Sequence, residues 1–197
     1  MSIDIKPFCV SDDCSDEHNH FRTPFCVGDY VYATNTHVVI RIKRSSSDAE
    51  SQLKKHKVAA KKINKWIKGF DCSFFDLIPI KYTPRIVTCD VCNGSGKWFE
   101  VEKKEKECMD CGGTGRIEEK QTIGFPNYNV QLKYVSLISQ LPNIMLGFMT
   151  TNYEGQIPFV FTGGAGILMS LQNIRGVDFD LNYISLVANN RMMEQVV

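Results

Sequence analysis

Hydrophobic and polar positions divide this chain into runs of different period. From Phe25 to Ile42 apolar residues cluster in two β-rich runs, Tyr30–Thr34 and Val38–Ile42, around the polar turn Asn35-Thr36-His37, which predicts a hairpin. Within the second run, Val38, Ile40 and Ile42 alternate with Val39, Arg41 and Lys43, so one face is expected buried and the other more exposed. His37 falls in the turn and reads as a residue capping its own backbone. The period then changes to that of a helix over 47–69, opened by the capping box Ser47-Asp48-Ala49-Glu50 and closed by Gly69. At 100° per residue, Leu53, His56, Ala59, Ala60, Ile63, Trp66, Ile67 and Phe70 share an arc of about 140°. Phe74–Ile80 predicts a strand that Pro79 confines to an edge or a strand end. After residue 121, Val130 to Leu141 predicts an amphipathic helix stopped by Pro142. Ile144–Thr150, Ile157–Phe161 and Gly166–Leu171 predict three short strands, with turns at Gly155 and Gly163-Gly164.

This order of elements is an α+β plan: antiparallel sheet with helices on one face. The predicted layout is a first part of the body over 1–85, an insertion over 86–121, and a second part with a tail over 122–197.

The insertion is marked by chemistry. Cys89-x-x-Cys92-x-Gly94-x-Gly96 is answered by Cys108-x-x-Cys111-x-Gly113-x-Gly115. Two residues between cysteines let both thiolates of a turn face one ion, and two such turns supply the four ligands of a closed tetrahedral Zn²⁺ site. One structural zinc held by Cys89, Cys92, Cys108 and Cys111 is therefore expected. The stretch between the knuckles reads as a hairpin with a charged tip, in which Trp98, Lys103 and Lys104 are candidate partner contacts. Near the N-terminus Cys9, Cys14, His18 and His20 are all possible ligands, but their spacing matches no zinc pattern and the acids around them read as a solvated loop. Cys9, Cys14, Cys26 and Cys72 are expected as free thiols.

Charge adds a second candidate site. Net charge is only +1, so any basic surface must be local. It is found on the predicted helix, where Lys54, Lys55, Lys57, Lys61, Lys62, Lys65 and Lys68 gather opposite the apolar arc with Val58 their one apolar neighbour. Solvated helix faces usually interleave Glu with Lys, and this one does not. Lys54, Lys57, Lys61, Lys62, Lys65 and Lys68 are read as contacts to a nucleic-acid backbone. At 43% hydrophobic and 23% charged the chain is expected to fold. It shows neither a signal-peptide pattern nor an apolar run long enough to span a membrane, and a cytoplasmic location is expected. No catalytic motif is found, and four cysteines close the metal shell, so the chain is expected to be non-enzymatic. Gly163-Gly-Ala-Gly166 lacks the Lys-Ser/Thr of a phosphate loop and reads as a turn.

Two families are resembled. The paired C-x-x-C-x-G-x-G motif resembles the cysteine-rich zinc repeat of J-protein co-chaperones, which carry four copies and bind two zincs; two copies here imply one zinc, and no J-domain accompanies them. Tyr32-Ala33-Thr34-Asn35-Thr36-His37 is similar to a turn of bacterial DNA sliding clamps. Phe125–Tyr128 through Tyr134, with Ile157–Ser170, is similar to a clamp's closing module. The chain also resembles short phage-encoded proteins that combine such a body with a cysteine knuckle. This implies a partial clamp-like body whose basic helix faces non-sequence-specific DNA. A clamp has two or three repeats per chain, and this chain has room for barely one and a half, so a ring would need homo-oligomerisation. The other expectation is a phage-encoded module, acting in the host cytoplasm, that binds and inhibits a host nuclease or defence complex.

Overall fold

The computed structural model describes residues 3–11, 16–46, 48–69, 72–99, 105–125, 128–149 and 155–171. Cys14, Ser47, Phe70, Lys103, Lys104 and the tail beyond 171 lie outside the described residues. The chain forms two compact units, one of residues 1–80 and 122–197 and one of residues 81–121.

In the first unit, strands β1 (Phe25–Val27), β2 (Tyr30–Thr34) and β3 (Val38–Lys43) follow one another as an antiparallel meander. Asn35 makes its tight turn: the side-chain Oδ1 accepts from the N–H groups of His37 and Val38 at 3.1 and 2.8 Å, and Thr36 takes φ 73°. The His37 ring stacks 4.8 Å from that of Tyr134. Helix α1 (Lys54–Lys68) and the edge strand β4 (Cys72–Asp76) come next.

The second unit holds β5 (Ile86–Thr88), β6 (Lys97–Phe99), β7 (Glu105–Glu107) and β8 (Arg116–Glu118). The chain then returns to the first unit through a hairpin that the sequence reading did not foresee, β9 (Thr122–Phe125) and β10 (Tyr128–Gln131). Helix α2 (Leu132–Ile138) leads to β11 (Met145–Met149), β12 (Gln156–Phe161) and β13 (Gly164–Met169). The expected helix from Val130 is thus shortened, because Val130 pairs with Ile123 in that hairpin.

Seven strands make one antiparallel sheet in the order β1-β2-β3-β13-β12-β11-β4. The ladder between β11 and β12 stops at Leu146↔Phe159, one residue before Pro158, which has no N–H to give. Gly147 leaves room for the proline ring, since a Cβ there would sit 2.7 Å from Pro158 Cγ.

The sheet is buried on both faces. Val38, Ile40, Leu146, Ile157, Phe159 and Leu168 pack with Val135 and Ile138 of α2 and with Ile5 and Phe8. Tyr32, Val39 and Ile167 point the other way and pack with Ala60 and Ile63 of α1. This corrects the expectation of helices on one face: α1 and α2 cover opposite faces. It also corrects the exposed face assigned to Val39, which is 7% exposed beneath α1.

Helix α1 begins six residues later than its capping box suggested, with Leu53 rather than Ser47 as N-cap and no side-chain cap bond. Two of the box residues, Asp48 and Glu50, are engaged elsewhere. Asp48 accepts from the Ser45 N–H through its carboxylate and from the Arg44 guanidinium through its carbonyl, while Glu50 bridges to β1 at Cys26 and lies 3.7 Å from Arg44. Gly69 ends the helix, though at φ −92° rather than in the left-handed region. Leu53, expected on the buried arc, is exposed.

His56 ties α1 down. Its Nε2 lies 2.6 Å from the His20 carbonyl, which can only accept, so Nε2 donates. Nδ1 meets the Ser51 hydroxyl at 2.6 Å, and the ring stacks 4.1 Å from Phe25. Replacing it with Leu preserves the bulk but strands a hydroxyl and a carbonyl. His56→Leu is expected to cost about 2 kcal/mol in urea unfolding, while Val58→Ala on the exposed face stays within about 0.5 kcal/mol. Equal stability of the two variants would contradict this role for His56.

Candidate metal centre and nucleic-acid interface

The finger is built from one local device used twice. β5 leads into Cys89 and β6 leaves the first knuckle; β7 leads into Cys108 and β8 leaves the second. The strands cross-pair, β5 with β8 and β6 with β7, so each knuckle is closed by the other's flank. Cys89 N–H donates to the Gly115 carbonyl and Cys108 N–H to the Gly96 carbonyl, both at 2.9 Å. Inside each knuckle the hydroxyl of Ser95 or Thr114 donates back to the carbonyl of Cys92 or Cys111 at 2.7 and 2.6 Å.

The glycines are required at two levels. Gly96 and Gly115 both take φ 72°, which turns their N–H groups onto Cys92 Sγ and Cys111 Sγ at 3.3 and 3.2 Å. They are also where the knuckles touch. A Cβ on Gly96 would lie 2.1 Å from the Gly113 carbonyl oxygen, and one on Gly115 would lie 2.2 Å from that of Gly94.

This scaffold brings all four predicted ligands together. The Sγ atoms of Cys89, Cys92, Cys108 and Cys111 lie within 4.8 Å of one another, and all four residues are buried. Cys89 Sγ to Cys108 Sγ is 3.9 Å and Cys92 Sγ to Cys111 Sγ is 3.8 Å. Burial opposes ionisation of the Cys92 thiol, yet the Gly96 N–H and the neighbouring Cys89 and Cys111 thiols outweigh it and bring it down to about 7. Cys89 moves the other way: despite the Cys92 N–H, burial and the Cys92 and Cys108 thiols raise it to about 11. The group could hold a metal ion, and among the described residues it is the one such group.

Among the described residues Cys9, His18 and His20 form no counterpart. Cys9 is buried in the main core, where burial pushes its thiol up to about 11 against the pull of Lys6, and His20 packs its ring 4.1 Å from that of Phe21. Cys26 is buried as well, and burial raises its thiol.

The second candidate site is the outward face of α1. Lys54, Lys55, Lys57, Lys61, Lys62, Lys65 and Lys68 are all exposed, while His56, Ala60 and Ile63 face the sheet. Among the described residues none of the seven pairs with a carboxylate; the ion pairs found are Arg44–Glu50, Arg85–Glu119 and Lys97–Glu105. Lys62 rests its ammonium 4.7 Å from the Trp66 ring. In the finger, Trp98 is 41% exposed, Val91 56% and Met109 88%.

The sequence reading missed Asn64. It shares a row with Lys57, Lys61 and Lys68 on α1 but turns to the sheet, where its Oδ1 accepts from the Tyr32 hydroxyl at 3.0 Å and from the Arg41 guanidinium. Its signal was there: an amide in a row otherwise made of lysines.

No protein family, curated protein sequence or solved structure matches the chain. Among the described residues no helix is long and apolar enough to cross a membrane.

Gly96→Ala and Gly115→Ala are expected to prevent the four thiols from being protected together by added metal, as read by thiol titration. Gly112→Ala, at φ 56° but with nothing within 4 Å of its Cβ, carries backbone strain without a clash and should keep that protection. Protection that survives in Gly96→Ala would refute the tight knuckle contact.

Proposed function

We infer that this protein is a non-enzymatic, zinc-containing, DNA-associated protein that holds the DNA backbone on α1 without reading its sequence. The observation that carries the reading is a face of seven exposed lysines with no carboxylate partner among the described residues, on a helix pinned from behind. Phosphates on a regular backbone are the partner that such a row of point charges fits. It is this face, rather than the resemblance to sliding clamps, that supports DNA association.

Zinc is the ion that the finger's geometry favours. Four thiolates about 2.3 Å from a tetrahedral centre stand about 3.8 Å apart. The two cross-knuckle separations of 3.9 and 3.8 Å agree with that. All-sulfur ligation of Zn²⁺ closes the shell and leaves no position for substrate, so its contribution is to folding.

Protein binding is the second reading, and the finger favours it. Met109, Val91 and Trp98 lie exposed on a unit that the metal makes rigid, as a contact surface for a protein such as a host nuclease or defence complex would require.

Two measurements test the first reading. With roughly four phosphate contacts, duplex affinity should fall about 100-fold between 50 and 200 mM salt. It should vanish when Lys57, Lys61, Lys65 and Lys68 are all changed to Glu; salt-independent binding, or none at the lower salt, would overturn DNA association. Metal analysis should find one zinc per chain. Cys89→Ser or Cys108→Ser should lose it and unfold the finger, since structural zinc contributes roughly 10–16 kcal/mol to such modules.

A further inference from the structure

The lysine face runs into a groove on the sheet. Through Asn64 the row Lys57, Lys61, Lys68 adjoins Arg41, whose guanidinium lies 4.4 Å over the ring of Tyr30. Tyr30 in turn lines a groove of about 720 Å³ together with Gly28, Asp29, Lys43, Arg44 and Ser45. That volume is in the range of clefts that take a small organic ligand.

We propose that this groove takes an unpaired end of the nucleic acid whose backbone lies on α1, with a base stacked on Tyr30 and its phosphate at Lys43. The proposal depends on α1 being a phosphate surface and adds which form of nucleic acid the site prefers. Four features of the groove point to a base. Tyr30 is already held, by Arg41 over its ring and by Tyr32 edge-on with centroids 6.2 Å apart, so little freedom is lost when a second ring stacks on it. Arg44 is engaged in shaping the wall: its guanidinium donates to the carbonyls of Asp48 and Gly28 and lies 3.7 Å from Glu50. Asp29 is among the lining residues, and a carboxylate there repels a phosphate but accepts from the exocyclic amine of a base. Lys43 at the end of β3 is exposed and, among the described residues, has no ion pair, which leaves its ammonium for the phosphate.

A base inside a duplex has both faces stacked on its neighbours, so only a single-stranded segment can offer one to Tyr30. A chain along α1 and into the groove therefore fits duplex DNA with an unpaired tail better than blunt duplex.

Fluorescence anisotropy would compare a blunt duplex of about 20 base pairs with the same duplex carrying a single-stranded DNA tail of about six nucleotides. The tail is expected to tighten wild-type binding about tenfold, the worth of one base on an aromatic platform. Tyr30→Phe should keep that gain, because the ring remains. Tyr30→Leu, which keeps apolar bulk against Tyr32, should lose it while binding blunt duplex as wild type does, and circular dichroism would verify its fold. Lys43→Gln should lose part of the gain. A tail that adds nothing, or a gain that survives in Tyr30→Leu, overturns the proposal and leaves DNA binding by α1 standing. Failure of both DNAs to bind at low salt sinks the two together.

Discussion

A sheet with apolar side chains on both faces has to be covered twice, and the placement of everything else in the first unit follows from that need. β3 shows it most simply: Val38 and Ile40 face one core and Val39 between them faces the other. One cover comes from α2 and the N-terminal turn, the other from α1. Because α1 lies on the sheet by His56, Ala60 and Ile63, the rotation of the helix about its own axis is set, and with it the direction of every lysine. His56 and Asn64 hold that rotation with hydrogen bonds at the two ends of the buried stripe. A helix fixed in this way presents its charges as a fixed array.

The finger meets the same need by other means. A unit of residues 81–121 has too few side chains to bury a core of its own, and its four cysteines are what is buried at its centre. Its outer contacts include the ion pairs Lys97–Glu105 at 2.7 Å and Arg85–Glu119 at 3.2 Å and the Tyr82 hydroxyl on Glu118 at 2.6 Å. Exposed contacts of that kind contribute little each. The four thiols could hold a metal ion that would supply the missing cohesion, and the contact of Gly96 with Gly113 and of Gly115 with Gly94 lets them converge. This explains why the motif has glycine at both places rather than merely a turn-forming residue.

Strong local rules made much of this legible in the sequence. The C-x-x-C-x-G-x-G pair picks out the four cysteines that come together because the chemistry admits few alternatives, and the lysine arc of α1 follows from a period that packing did not disturb. The last three strands were visible from their Gly turns. What was hidden depended on distant partners. Nothing local says that Arg44 and the edge of β1 would engage Asp48 and Glu50 and so delay the start of α1. Val39 looked solvent-facing because α1's place above it is a tertiary fact, and the same ignorance put both helices on one face. Val130 fits a helical period as well as a strand; pairing with Ile123 decided between them. The groove at Tyr30 is assembled from the ends of two strands and the loop after them, which no single period marks.

Local and global preferences disagree most in α1, and the direction of the disagreement is informative. The helix has no side-chain cap, no acid in its first turn, and lysines at Lys54 and Lys55 where the helix dipole favours negative charge. Lys57, Lys61 and Lys65 stand four residues apart, so each adjacent pair costs a few tenths of a kcal/mol. Only Lys65 and Lys68, in the last turn, suit the dipole. A sequence shaped for helix stability alone would put glutamates in this face, and a chain of net charge +1 has acids to spend. Tertiary bonds through His56 and Asn64 offset the local cost and keep the charges together. A polyanion laid along the helix would remove the repulsion and stabilise the fold in proportion to its binding. Local rules broken on one face, with compensation built in behind it, are what the proposed nucleic-acid surface would require.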